Sequence, residues 1–122
     1  MSRTKIAIAG ALGRMGNNLI NSALSNNNVE LVGVFDVKDI DPSFINKNQI
    51  QENVFTTREE SFEKADIVID FTTPKALFNF TEAAVSNNTG LVIGTTGLDE
   101  SHFNLLKQTS NSTKVFLSLI HI

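Results

Sequence analysis

The sequence of 122 residues contains no cysteine and no long apolar run. Without cysteine, the chain can form neither a disulfide framework nor a thiolate metal site, and nothing points to an oxidising compartment. The apolar run near the N-terminus is short and soon interrupted by glycine, and no segment approaches the roughly 18 apolar residues of a membrane span. We therefore expect a soluble, cytoplasmic protein that does not associate with a membrane.

An excess of positive charge is also missing. The 10 Lys and Arg residues are outnumbered by 13 Asp and Glu residues, which gives a net charge of -3. Such a chain has no general attraction to nucleic acid, and no basic stripe with interleaved aromatic residues is visible. No histidine and carboxylate set has metal-ligand spacing, and no serine lies in a recognisable nucleophile setting. Any bound phosphate must therefore be held locally, by backbone and a few side chains.

Five short apolar runs alternate with segments of helical periodicity. The hydrophobic content of 41% is enough for the core of one domain, and a second substrate domain would not fit. The runs are apolar at successive positions, which is typical of parallel strands covered by helices on both faces. The alternation predicts a single-domain α/β fold with right-handed crossovers and a doubly wound parallel sheet. The predicted strands are residues 5–9, 29–35, 67–71, 91–93 and 114–117.

The segments between the strands predict helices. Apolar residues recur at three and four positions from Leu12 to Leu24 and predict the first helix. Thr73 and Pro74 are typical of the cap and first residue of a second helix. Asp99 is expected to cap a third helix, which turns Phe103 and Leu106 inward and leaves His102 in solvent.

Residues 37–57 show the least clear secondary-structure pattern, and we interpret them as a surface loop. It is rich in Asn, Gln and Asp, and Asp41-Pro42 is typical of a turn. A short strand is possible at residues 53–55. Thr57 with Glu60 three residues later matches a capping box and predicts a short helix after the loop.

A glycine-rich turn directly follows the first predicted strand. Gly10, Gly13 and Gly16 form a G-x-x-G-x-x-G variant of the dinucleotide fingerprint, and the turn leads straight into a helix. Glycine permits the tight turn and the close approach of backbone to a pyrophosphate. The helix N-terminus then offers unpaired N–H groups to the phosphates, and Arg14 either contacts a phosphate or stays idle in solvent. The arrangement is typical of a Rossmann-type fold.

An acidic residue, Asp36, ends the second predicted strand twenty residues beyond Gly16. In this fold a carboxylate at that position accepts hydrogen bonds from the adenosine ribose hydroxyls. Its charge should repel a 2′-phosphate and favour NADH over NADPH, although Lys38 can offset the repulsion. The alternative is an ordinary solvated carboxylate at a strand end.

Two further loops follow the third and fourth predicted strands. Residues 70–74 carry Asp70, Phe71, Thr72 and Thr73, and residues 94–97 read Gly-Thr-Thr-Gly. Taken singly, each loop is more often ordinary turn chemistry, but Thr hydroxyls there can also donate or accept near a ribose or nicotinamide. Together with the glycine turn and Asp36, these loops line one edge of the predicted sheet, where a dinucleotide lies in this fold.

Three of these motifs resemble the N-terminal domain of the 4-hydroxy-tetrahydrodipicolinate (dihydrodipicolinate) reductase family of lysine and diaminopimelate biosynthesis. The matching segments are IAIAGALGRMG at residues 6–16, VIDFT at 68–72 followed by Pro74, and VIGTTG at 92–97. The resemblance covers about residues 4–118. It implies that residues 10–15 cradle the cofactor pyrophosphate, that Asp36 holds the adenosine ribose and that residues 94–96 lie along the nicotinamide half.

The resemblance also implies NADH or NADPH as cofactor, a cyclic dicarboxylate as substrate and a homotetramer formed through a C-terminal domain. The family continues after the last strand with an Ala/Ser-Asn-Phe/Met-Ser stretch, then a His-rich catalytic segment, a lysine and a Pro-Ser-Gly-Thr loop. This sequence instead ends Leu-Ser-Leu-Ile-His-Ile. We therefore expect a domain at residues 1–118 that binds cofactor but has no catalytic residue and little activity alone. Residues 119–122 form an atypical tail that resembles translated adaptor sequence.

One alternative remains open and a second is excluded. A stand-alone nucleotide-binding or CoA-binding regulatory module could use the same fold, although Asp36 has no evident role with CoA. A semialdehyde dehydrogenase would need a cysteine nucleophile, which the chain lacks. The residues expected to bind the cofactor are Gly10, Ala11, Leu12, Gly13, Arg14, Met15, Asp36, Phe71, Thr72, Gly94, Thr95 and Thr96.

Overall fold

The computed structural model describes residues 3–95 and 97–117. They form five strands and five α-helices, with a 3₁₀ turn at Pro74–Ala76. The strands are β1 (Thr4–Ala9), β2 (Val29–Phe35), β3 (Ile67–Asp70), β4 (Gly90–Ile93) and β5 (Val115–Leu117). The helices are α1 (Arg14–Leu24), α2 (Pro42–Lys47), α3 (Arg58–Lys64), α4 (Leu77–Asn87) and α5 (Glu100–Thr109). All five predicted strands are found, each within one residue of its predicted bounds.

The strands form one parallel sheet in the order β2-β1-β3-β4-β5. The order reverses between β1 and β3, and ligands of such sheets bind beyond the carboxyl ends of the strands at this point. The register aligns those ends, since Ala9 pairs with both Phe35 and Asp70, and Asp70 pairs with Ile93. The predicted Rossmann-type, doubly wound α/β fold is confirmed.

Apolar layers cover both faces of the sheet. Along β1, Ile6 and Ile8 belong to the layer under α1, and the alternate residues Ala7 and Ala9 belong to the layer under α3, α4 and α5. In the second layer Phe35, Phe62 and Phe80 pack with ring centroids 5.7–5.9 Å apart. Burial on both faces explains why each strand is apolar at successive positions.

Residues 37–57 differ from the predicted loop, because they include helix α2. The Asp41 carboxylate accepts a hydrogen bond of 2.8 Å from the Ser43 amide and caps this helix, and Pro42 is its first residue. The possible strand at residues 53–55 is a single bridge, in which the Phe55 amide donates to Val32 and the Phe55 carbonyl accepts from Val34. A turn signal and a helix start share the same Asp-Pro pair, which is why the loop prediction was wrong here.

Two of the other predicted helix starts are confirmed, and the structure corrects three expectations about single residues. Thr57 caps α3 and Asp99 caps α5, as predicted. His102 is not left in solvent, because its Nδ1 accepts a hydrogen bond of 3.0 Å from the Asp99 amide and completes a capping box. Phe103 does not turn inward and is 46% exposed, whereas Leu106 is buried. Thr73 makes no side-chain capping bond, since a 3₁₀ turn precedes α4.

None of the helices in the described part of the chain is both long enough and apolar enough to cross a membrane.

Candidate functional site

Four loops meet at the carboxyl edge of the sheet, one after each of the strands β1 to β4. The shared register brings their first residues side by side, so residues far apart in sequence lie within hydrogen-bond distance.

The loop after β1 is a tight turn that only glycine fits at two positions. Gly10 has a φ of +84°, and a Cβ there would lie 2.8 Å from the Phe71 carbonyl oxygen. A Cβ at Gly16 would lie 2.1 Å from the Gly10 carbonyl oxygen, so α1 packs directly on the turn. The amides of Gly10 and Ala11 both donate to the Phe35 carbonyl, at 3.0 and 3.2 Å. The turn is therefore fixed from three sides, and its conformation depends on glycine.

The first turn of α1 has unused hydrogen-bond donors. Gly13 occupies the cap position without a capping side chain, and the first turn carries no acidic residue. The amides of Arg14, Met15 and Gly16 donate to no protein group within the described residues. Unpaired amides at the positive end of a helix dipole bind anions, phosphates above all.

Asp36 lies beside this turn and is bonded to it. Its Oδ2 accepts a hydrogen bond of 3.0 Å from the Leu12 amide, and its Oδ1 accepts one of 2.8 Å from the Val37 amide. The side chain is half-buried, and each carboxylate oxygen keeps further acceptor capacity. Asp36 therefore holds the turn in place and can still accept hydrogen bonds from a ligand.

The loop after β3 lies between the glycine turn and the loop after β4. The Phe71 carbonyl faces Gly10, and the Phe71 ring lies where a Cβ on Gly94 would be only 2.4 Å from ring atom Cε1. The Gly94 amide donates to the Asp70 carbonyl at 2.8 Å. Phe71 thus spaces the two glycine-bearing loops, and a side chain at residue 94 would displace its ring.

Asp70 is fully buried beneath this loop. Its Oδ1 accepts two hydrogen bonds from Thr72, 2.8 Å from the amide and 2.5 Å from the hydroxyl. Its Oδ2 has no hydrogen-bond partner among the residues that the structure describes. Burial raises the pKa of Asp70 above its ordinary value, and the Thr72 bonds and the nearby Thr95 hydroxyl act in the opposite direction.

Of the two threonines in the loop after β4, Thr95 is described and Thr96 lies outside the described residues. Thr95 is buried, and its hydroxyl donates to the Asp70 carbonyl at 3.4 Å. The hydroxyl therefore contributes to the packing of the two loops against each other.

A cleft of about 360 Å³ opens beside Asp36 and Thr72. Lys38 also lines it, together with two residues that sequence reasoning missed, Arg58 at the start of α3 and Asn79 in α4. No sequence signal places these two residues at the site, because their position depends on how α3 and α4 cross the sheet. The cleft has the polar lining and the size that suit part of a small-molecule ligand.

The described residues contain no group of three or more His, Asp or Glu side chains that could hold a metal ion. The arrangement instead combines an anion-binding helix start, a carboxylate acceptor and a cleft. These are the parts that hold a phosphate, a ribose and a base in Rossmann-type folds.

Comparison with known proteins extends this geometry. A family model described as "Dihydrodipicolinate reductase, N-terminus" matches residues 4–119. The 4-hydroxy-tetrahydrodipicolinate reductase of Pelagibacter ubique is 34% identical over 115 residues, which cover 94% of this chain and 43% of the relative. The enzyme of the same name from Sulfurimonas denitrificans is 37% identical over 116 residues, covering 91% of this chain and 42% of the relative. The chain therefore spans less than half the length of these relatives.

A comparison with solved structures also finds a dihydrodipicolinate reductase. A dipicolinate-bound dihydrodipicolinate reductase from a Paenisporosarcina species superposes with a TM-score of 0.72 and 28% identity, covering 97% of this chain and 48% of that one. The myo-inositol 2-dehydrogenase of Lactobacillus plantarum has the same TM-score of 0.72 at 15% identity, covering 96% of this chain and 36% of that one. The second likeness shows the shared fold alone.

Proposed function

The chain belongs to the dihydrodipicolinate reductase family, of which it matches the N-terminal domain, and on this premise we propose that it binds NADH or NADPH. The observation that carries the proposal is the set of unpaired amides at the start of α1, held by a glycine turn to which Asp36 is bonded. These residues fit a dinucleotide, because Gly10 and Gly16 let the turn pack tightly against Phe71 and α1 and so hold the free amides in place, while Gly13 leaves space in front of them.

The pyrophosphate would lie against the first turn of α1. There the amides of Arg14, Met15 and Gly16 point toward it, and the helix dipole favours its negative charge. Gly13, whose Cβ would meet no atom closer than 3.4 Å, leaves room for the phosphate oxygens. Arg14 is exposed beside this position and adds a positive charge.

The adenosine would occupy the cleft beside Asp36. The Asp36 carboxylate would accept hydrogen bonds from the ribose hydroxyls, which favours NADH. Lys38 and Arg58 line the same cleft together with Asp39 and Glu59, and Arg58 is ion-paired with Glu59 at 3.3 Å. A 2′-phosphate would replace Glu59 as the partner of Arg58, which supports NADPH as a second cofactor. We therefore propose a site that accepts both cofactors.

The nicotinamide would lie toward the loops after β3 and β4, near Phe71 and Gly94, beyond the cleft that Thr72 lines. When bound, the cofactor supplies a hydride, and the residues of this chain bind and orient it. In the whole protein, we propose, the hydride reduces 4-hydroxy-tetrahydrodipicolinate, and residues outside this chain supply the proton donor, the substrate carboxylate contacts and the tetramer interface. By itself the chain of 122 residues would bind cofactor with little turnover.

Calorimetric titration of the purified chain with NADH, NADPH and CoA tests the proposal. Binding of NADH and NADPH without CoA supports a cofactor domain. Binding of CoA instead would support the alternative of a nucleotide-binding or CoA-binding module. A folded chain that binds none of the three would overturn the proposal.

A further inference from the structure

Asp70 is a buried carboxyl at the carboxyl edge that the proposed function does not use. It lies at the end of β3 between two apolar neighbours, Ala9 of β1 and Ile93 of β4. It takes part in none of the salt bridges within the described residues. Burying a carboxylate with one oxygen unpaired is costly, so its position at this edge calls for a reason.

The two bonds from Thr72 to Asp70 Oδ1 fix the direction of the Thr72 hydroxyl. A hydroxyl has one proton to donate, and an ionised carboxylate can only accept. The bond of 2.5 Å between Thr72 Oγ1 and Asp70 Oδ1 therefore uses the proton of the hydroxyl. What remains on Thr72 Oγ1 is acceptor capacity.

Thr72 is half-buried and lines the cleft that Asp36 also lines. A hydroxyl there with a free proton could donate a hydrogen bond to a ligand or accept one from it. A hydroxyl whose proton is already donated elsewhere can only accept a hydrogen bond from the ligand. The cleft therefore presents acceptors on two sides, the Asp36 carboxylate and the Thr72 hydroxyl.

We propose that Asp70 is a positioning residue of the dinucleotide site: it takes the proton of the Thr72 hydroxyl and so presents this hydroxyl as an acceptor to a hydroxyl or amino group of the bound cofactor. The inference rests on the proposed function and deepens it. It differs from a purely structural role, in which Asp70 would only hold the loop after β3 through the Thr72 amide.

A double-mutant cycle on NADH affinity tests the inference. Thr72→Val removes the hydroxyl at nearly constant shape, and we expect it to raise the Kd about threefold to tenfold, the effect of one hydrogen bond. Asp70→Asn keeps an acceptor at Oδ1 but replaces the charge-assisted hydrogen bond from the Thr72 hydroxyl with a weaker neutral one, so the hydroxyl is held less firmly, and we expect about a threefold increase. If Asp70 acts through Thr72, Asp70→Asn in the Thr72→Val background changes the Kd by less than about 1.5-fold.

Rescue and a control variant separate positioning from folding. Thr72→Ser retains the hydroxyl and should bind NADH within about twofold of the unmodified chain. Asp66, at the opposite end of the same loop-strand unit, accepts a hydrogen bond of 2.9 Å from the Lys5 amide. Asp66→Asn is therefore a carboxylate-to-amide change outside the site and should leave the Kd unchanged. Thermal unfolding of each variant establishes the folded fraction during titration.

Two failures can be told apart. If the unmodified chain binds NADH, but Asp70→Asn weakens binding by the same factor with and without the Thr72 hydroxyl, the inference is overturned and the proposed function stands. The same holds if Thr72→Ser fails to restore binding. If the unmodified, folded chain binds neither NADH nor NADPH, the proposed function fails and the inference fails with it.

Discussion

Polar groups at the two edges of the sheet differ in whether they have hydrogen-bond partners. At the amino edge the Asp66 carboxylate is paired with the Lys5 amide, the Thr89 hydroxyl donates to Phe62 and the Thr113 hydroxyl donates to Thr89. At the carboxyl edge the first-turn amides of α1 and the Asp70 Oδ2 have no partner among the described residues. Unpaired amides at an exposed helix start indicate where an anionic ligand can bind, because the ligand pairs them, whereas the buried Asp70 Oδ2 is out of a ligand's reach.

Cleft size alone favours the opposite edge from the proposed site. The cleft at the amino edge, lined by residues such as Asp66 and Lys114, has about 790 Å³, against about 360 Å³ beside Asp36. The larger cleft is open, and backbone pairing continues around it, from Gly90 to Asp66 and from Leu91 to Lys114. The two edges therefore differ in how many of their polar groups have no hydrogen-bond partner in the protein, and mutations at each edge can test this difference.

The largest effect is expected from Gly13→Asp. An aspartate at the cap of α1 would accept from the free amides and stabilise the helix by about 1 kcal/mol. The same carboxylate would occupy the anion site and repel a pyrophosphate, by roughly 4 kcal/mol at about 4 Å and an effective dielectric near 20. We expect NADH affinity to fall a hundredfold or more, measured by calorimetry, while the Tm stays equal or rises.

Gly13→Ala is the control, because its Cβ meets no atom closer than 3.4 Å and it adds no charge. It should retain most of the NADH affinity. Equal loss in both variants would mean that shape, and not the helix start, determines binding.

Gly16→Ala should mainly reduce the stability of the fold. The added Cβ would lie 2.1 Å from the Gly10 carbonyl oxygen, so α1 must move away from the turn. We expect a loss of about 1–3 kcal/mol in the free energy of unfolding, measured with urea. At the amino edge, Gly90→Ala meets no atom closer than 3.5 Å and should change stability by less than about 1 kcal/mol. Similar losses in both variants would contradict the tight contact.

Asp36→Ala should weaken NADH binding about tenfold to a hundredfold, since hydrogen bonds to a charged group are worth about 1.5–3 kcal/mol. NADPH binding should fall less, because the repulsion of its 2′-phosphate disappears. Calorimetry with both cofactors gives the ratio. Asp36→Asn keeps an acceptor for the Leu12 amide, so a loss confined to Asp36→Ala would show that the turn, and not the ribose, depends on this residue.

Arg58→Gln should raise the Kd for NADPH about threefold to tenfold and leave NADH within about twofold, because it removes one charge facing the cleft. Arg3, whose guanidinium donates to the Val29 carbonyl near the amino edge, provides the comparison. Arg3→Gln should affect neither cofactor. An equal effect of Arg58→Gln on NADH and NADPH would exclude Arg58 from recognition of the 2′-phosphate.

How much of this could be read from the sequence depends on how local each feature is. The glycine turn, α1 and Asp36 belong to one continuous β1-α1-β2 unit, so spacing was enough to place them together. The bond from Leu12 to Asp36 was beyond prediction in detail but agrees with that placement. The parallel sheet and its apolar layers on both faces followed from the apolar strands and their alternation with helices, whereas the strand order did not.

Features that depend on packing between distant elements were not predictable. Arg58 reaches the cleft because α3 crosses the sheet beside β2, and Phe103 is exposed because of how α5 lies on α4. Asp70 and Thr72 are only two residues apart, yet the burial that distinguishes Asp70 comes from β1 and β4 on either side. Residue types and spacing indicate which atoms are near one another along the chain, whereas burial is decided by all elements together.

The smallest effect is expected in the pH dependence of stability, and its sign distinguishes Asp70 from an exposed capping carboxylate. Burial raises the pKa of Asp70, so the folded state takes up a proton more readily than the unfolded state. The cost of ionised Asp70 is present in full above its raised pKa and disappears as pH falls toward the ordinary value of 3.8. Hydrogen bonds from Ser43 lower the pKa of Asp41, so Asp41 adds stability above the ordinary value that is lost as pH falls.

Urea unfolding at a series of pH values measures both signs. As pH falls, the free energy of unfolding of the unmodified chain should rise relative to that of Asp70→Asn and fall relative to that of Asp41→Asn. Taking the difference between the unmodified chain and each variant at every pH removes the contribution of all other carboxylates. If both differences shift in the same direction, Asp70 is not a desolvated carboxyl, and the contrast between the edges loses its buried, unpaired carboxylate oxygen.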